Sequence, residues 1–164
     1  MRFLGPPKEA SAAPLLVFQI NPPEKAALLA ILQLFPVLAS AHHRLTKNTN
    51  TARAAEQRLL EEAMAQLQSA HTRKLAQFIR AEKQVFRTDH GELRLALTAA
   101  QLEWLLQVLN DIRVGSWAQL GCPELEGARR LKLARENPAA FTAMETSGYF
   151  QMVLLQACQG TDAA

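Results

Sequence analysis

Apolar residues fall along this chain in two rhythms, and the change between them marks out the elements. Leu15-Leu16-Val17-Phe18-Gln19-Ile20 is a short apolar run that stops at Asn21-Pro22-Pro23, the mark of a strand ending in a turn. Asn21 is placed to cap the helix that follows, where proline is tolerated and Glu24 suits the positive end of the dipole. From there Ala27, Leu28, Ile31, Leu32, Phe35, Leu38 and Ala39 recur at helical spacing, but Pro36 removes a backbone donor and forces a kink or a restart.

Thr46 to Thr51 is a polar linker rich in capping residues, and from Ala52 a second helical pattern runs to about Phe86. As one piece it measures roughly 50 Å, longer than the body of a small domain. Its stripe is Leu60, Met64, Leu67, Leu75, Phe78, Ile79 and Val85, interrupted at His71 and Lys74. One face packing on the core accounts for such a stripe, and a helix that outruns its core also offers a dimer arm or a docking surface.

Thr88 to Gly91 reads as a turn, after which Glu92-Leu93-Arg94-Leu95-Ala96-Leu97 alternates with period two. Thr98 then caps a helix whose Leu102, Leu105, Leu106, Leu109, Ile112 and Leu120 face inward. Gly121-Cys122-Pro123 stops it. Residues 124 to 136 form a short helix or an ordered connector, and Asn137-Pro138 starts a last helix with Phe141, Met144, Tyr149, Val153, Leu154 and Ala157 on its apolar side. Gly148, inside that helix, costs about 1 kcal/mol relative to alanine and implies close helix contact or a kink.

The expected fold is mainly α: a small helical bundle of about four to five helices with a minor two-stranded β-ribbon. It forms one domain over residues 15–160 behind an irregular lead-in, residues 1–14.

Charge divides the chain unevenly. Through residue 87 there are twelve Lys or Arg against six Asp or Glu, and beyond it six against nine. Arg73, Lys74, Arg80, Lys83 and Arg87 form a candidate basic surface at the end of the long helix. Asn110, Arg113 and Trp117 follow one another at spacings of three and four, with Asp111 one position off their line. Such a row binds an anion or a partner's carboxylate, because guanidinium matches a carboxylate with two hydrogen bonds; alternatively it satisfies carbonyls or carboxylates within the fold.

Chemistry is scarce. Cys122 and Cys158 have no disulfide or metal spacing and read as reduced structural thiols. His42 and His43 diverge on a helix, and His71 and His90 stand alone. No phosphate-binding glycine loop, zinc-protease motif or nucleophile elbow occurs, so the expectation is a non-enzymatic protein with no cofactor and no metal. No apolar run reaches membrane-spanning length, and residues 1–13 lack the apolar stretch of a signal peptide, so no membrane partner is expected and the chain reads as cytoplasmic.

Pro22-Pro23-Glu24-Lys25-Ala26-Ala27-Leu28-Leu29 at a helix start, Trp104, Leu105, Leu109, Asn110, Asp111 and Arg113 in the capped helix, Gly121, and the closing Gly148-Tyr149-x-Gln151 together resemble one uncharacterised bacterial family. It is the domain of unknown function (DUF) numbered twenty-seventeen, best represented in actinobacteria. Here Val114-Gly115-Ser116-Trp117 replaces a Leu-Ala-Leu-Gly-like run, and the long middle helix has no counterpart. The family has no established activity; some members are described as regulators, and their genes often lie near an adaptor of the Clp protease. The resemblance implies a regulatory or adaptor role with an unidentified protein partner and adds Tyr149 to the polar cluster. A homodimer is compatible with the long helix. The alternative is a nucleic-acid-binding transcriptional regulator using the basic helix 52–87.

Overall fold

The computed structural model describes residues 1–5, 15–38, 51–89, 91–124 and 127–161. His42, His43, His90 and nearly all of the polar linker lie outside them. Four strands, β1 (Arg2–Gly5), β2 (Leu15–Gln19), β3 (Phe86–Asp89) and β4 (Glu92–Thr98), form an antiparallel sheet in the order β1-β2-β4-β3. The helices are α1 (Pro22–Leu32), α2 (Thr51–Arg80), the single turn α3 (Glu82–Val85), α4 (Ala99–Gln119), α5 (Gly127–Glu136) and α6 (Pro138–Thr161). The architecture is mainly helical, but the sheet has four strands rather than a two-stranded ribbon.

Each missed strand has a physical reason. Four-residue β1 sits in the supposed irregular lead-in and gains its order by pairing Phe3 with Phe18, a contact that no local pattern announces. β3 hides at the end of the helical pattern: α2 stops at Arg80, the chain breaks at Ala81, and after α3 Phe86 pairs with Leu95. Thr88 and Asp89, expected in a turn, lie opposite Leu93 and Glu92. The long helix is thus continuous only to Arg80.

One register row, Phe3–Phe18–Leu95–Phe86, crosses all four strands on the inner face. The adjacent row on the outer face is Arg2–Gln19–Arg94–Arg87. Period-two alternation thus separates an aromatic face from a basic one. The inner face packs on Leu28, Leu32, Leu105, Leu109, Phe150 and Leu154, all essentially inaccessible. Burying each such side chain contributes roughly 1.5–3 kcal/mol before the entropic cost of ordering it.

Capping signals work as read. Asn21 and Glu24 form a reciprocal capping box on α1, Thr98 and Gln101 form another on α4, and the Ala140 amide donates to Asn137 Oδ1 at the start of α6. α1 ends at Leu32, ahead of Pro36, where a break is expected because a proline at position 36 clashes with the carbonyl four residues back. The Phe35–Pro36 bond is cis. At the end of α4, Gly121 and Cys122 both adopt positive φ, and Cys122 is exposed rather than buried. His71 does not interrupt the α2 stripe: it is buried, its ring 6.0 Å from Phe35. Beyond it toward the helix start, Leu67 is exposed and Leu59 is 67% exposed.

Candidate functional site

α4 and α6 form the most extensive helix pair. On one side they diverge into an open groove of about 900 Å³. Its polar floor comes from Asn110 and Arg113 on α4 and Gln151 on α6; its apolar rim includes Met152, 53% exposed, and Leu155, 48% exposed. Three long contacts of 3.5 Å knit the floor: Arg113 Nη1 donates to Gln151 Oε1, while Gln151 Nε2 donates to the Leu106 carbonyl and to Asn110 Oδ1. All three lie at the outer limit of hydrogen-bond geometry, so the network is weakly committed.

Arg113 lies alongside α6 at Gly148. A Cβ at position 148 would meet Arg113 Nε at 3.6 Å, an ordinary contact, so the side chain passes close to α6 without requiring a glycine there. Arg113 itself is exposed, as is Asn110. At the groove's far side Glu145 is taken by Arg130 of α5.

Tyr149 borders the groove with its ring, 5.2 Å from Phe150, but its hydroxyl points to a second cluster. It donates to Glu24 Oε1 at 2.6 Å, and the Met1 amino group donates to both Tyr149 and Glu24. Burial alone would raise the Glu24 carboxyl, yet hydrogen bonds from the Met1 amine, Tyr149 and the Asn21 amide hold it below the usual 4.5. Burial and the Glu24 charge push the Tyr149 hydroxyl up to about 12. This cluster ties β1, α1 and α6 together beside the groove.

The remaining residues of the expected polar row go elsewhere. Asp111 turns to the opposite flank of α4, lining a crevice of about 290 Å³ with His71, Gln107 and Gly115. Burial, then the charge of Lys74, lowers the His71 pKa, opposed by Asp111 and a hydrogen bond with Gln107, so the imidazole is neutral at pH 7. Trp117 does not reach the groove: its indole N–H donates to the Pro123 carbonyl at 3.1 Å. Seven residues beyond Asn110, it stands roughly 10 Å further along the axis, past the groove's end.

Basic candidates separate as well. Arg73, Lys74 and Arg80 are exposed on α2, whereas Arg87 stands on edge strand β3 in the outer-face row; the Lys83 side chain lies outside the described residues. Sequence patterns missed Glu145, Met152, Leu155 and the Glu24 partnership of Tyr149. The signal for the first three was present as recurrence along α6, but it marks only a shared face and not the helix opposite.

Among the described residues no group of three or more His, Cys, Asp or Glu is placed to hold a metal ion, and no helix is long and apolar enough to cross a membrane. The chain matches no family model, no curated protein and no solved structure.

Proposed function

We propose that the chain is a non-enzymatic protein-interaction module of regulatory or adaptor type, which receives a protein partner in the groove between α4 and α6. The carrying observation is the groove itself: an open concavity with exposed methionine and leucine on its rim and adaptable polar groups on its floor. A concave lining that combines apolar side chains with a few convergent polar groups is characteristic of binding sites. The resemblance to a family with regulatory associations points the same way. Leu155→Asp places a charge on the rim without touching the core, since Leu155 is half exposed. Affinity capture from host lysate treated with DNase, comparing wild type with Leu155→Asp, tests the proposal; a partner set identical for the two baits removes it.

The second reading, a nucleic-acid-binding regulator, is favoured by the exposure of Arg73, Lys74 and Arg80 on α2 and by the arginine row of the outer sheet face. Binding of this kind weakens steeply with salt through counterion release. Unchanged DNA mobility at low salt eliminates it. Self-association belongs with the exposed Leu59 and Leu67 on α2, and light scattering on wild type and Leu59→Glu measures it.

A further inference from the structure

Among the described residues the groove holds one cation, Arg113, whose charge no carboxylate answers. Among the described residues Arg113 makes no ion pair, and its hydrogen bonding amounts to the single 3.5 Å contact with Gln151 Oε1. On α5, which packs against α6, Arg130 engages Glu145 and Lys132 engages Glu136. Glu145 being neutralised by Arg130, Arg113 sets the sign of the groove. Its stem lies along the α6 backbone at Gly148; Gln151 turns its Oε1 to Arg113 and its Nε2 to the Leu106 carbonyl and Asn110 Oδ1, which leaves the exposed Asn110 amide nitrogen as the neighbouring donor among the described residues. Met152 and Leu155 form an apolar shelf next to that charge.

Resting on the proposed interaction role, we infer that the groove reads an acidic residue within an apolar peptide segment of its partner, with Arg113 receiving the carboxylate and the Asn110 amide donating to it. Guanidinium takes a carboxylate through two parallel N–H···O bonds, and a neighbouring amide fills a further acceptor site. The long contacts on the groove floor are readily exchanged for shorter, charge-assisted ones. Charge complementarity selects carboxylate over phosphate: a phosphate dianion calls for more than one cation, and among the described lining residues Arg113 is the one cation. Methionine on the rim suits apolar side chains of varied shape.

The test pans a displayed random dodecapeptide library against the full chain, with Arg113→Glu, Arg113→Gln and Leu155→Asp as parallel targets. Arg113 is exposed, so its variants keep the fold, which thermal melting verifies. Wild type is expected to enrich peptides with Asp or Glu between apolar residues, and Arg113→Glu to enrich Lys or Arg in that place. A synthetic selected peptide should bind Arg113→Gln about tenfold to a hundredfold more weakly than wild type. Peptides that depend on Leu155 but show no acidic preference, or keep it against Arg113→Glu, overturn the inference while leaving the interaction role standing. Failure to enrich any peptide sensitive to Leu155→Asp overturns both.

Discussion

Two glycines sit inside the paired helices α4 and α6, and they are there for different reasons. At Gly115 of α4 a Cβ would lie 2.7 Å from Val37 Cβ and 2.9 Å from Val37 Cγ1, so the chain after Pro36 presses directly on the helix backbone. At Gly148 of α6 the nearest atom to a Cβ would be Arg113 Nε at 3.6 Å, an ordinary van der Waals separation. Packing demands the first glycine. It does not demand the second, which forgoes helix stability beside an open groove. One flank of α4 is closed by its own chain; the other is left available.

The largest effect is expected on the closed flank. Gly115→Ala should destabilise by about 1–3 kcal/mol through overpacking, lowering Tm by roughly 2–4 °C per kcal/mol. Gly115→Ala combined with Val37→Gly removes the clashing atoms, so a double-mutant cycle by thermal melting should show favourable coupling; plain additivity would break the comparison.

The same flank should be acid-sensitive. His71 has a folded pKa below its ordinary 6.5, so protonation favours the unfolded chain. Stability is full above 6.5 and falls as pH drops below it toward the folded value. Urea titrations from pH 7.5 to 5 should show this decline in wild type and a flatter profile in His71→Leu.

On the open flank the groove is braced by Tyr149. Tyr149→Phe removes the hydroxyl that donates to Glu24 and should cost about 1 kcal/mol by chemical denaturation. Glu24 has a depressed folded pKa, so its contribution is present above 4.5 and lost as pH falls through the folded value. The two flanks therefore fail in different pH windows, and Tyr149→Phe should weaken only the lower one.

Smaller still, Gly148→Ala should stabilise by about 0.5–1 kcal/mol, since helix propensity improves and the added Cβ makes only ordinary contacts with Arg113. A loss of stability there would show that packing, after all, requires this glycine. Arg113→Ala should stay within about 0.5 kcal/mol of wild type, as exposed substitutions do, while removing the charge that the groove presents.

Much of this frame was legible from local chemistry. Asn21, Thr98 and Asn137 cap the helices they were expected to cap, and Gly121-Cys122-Pro123 ends α4, because those signals act within a few residues. Asn110 and Arg113 were identified as neighbours from their spacing of three. What escaped depends on distant chain: Phe3 has strand character only beside Phe18, and Phe86 leaves the helical pattern only because Leu95 accepts it. Met152 and Leu155 become a rim only when α6 meets α4. Trp117 satisfied the periodicity but not the length of the groove, a distinction between angle around a helix and distance along it.

The strand order carries a consequence for the chain as it is made. β2 takes β4 as its inner neighbour, and about 80 residues separate the two, so at the roughly 5–20 residues per second of synthesis Glu92–Thr98 leaves the ribosome several seconds or more after Leu15–Gln19. During that interval β1 covers one edge of β2, and the other edge, with Phe18 beside it, has no native partner. The nascent chain therefore carries its most sticky segment longest, and of the basic row on the outer face only Arg2 is present during that interval, Arg87 and Arg94 arriving with the strands that close the sheet.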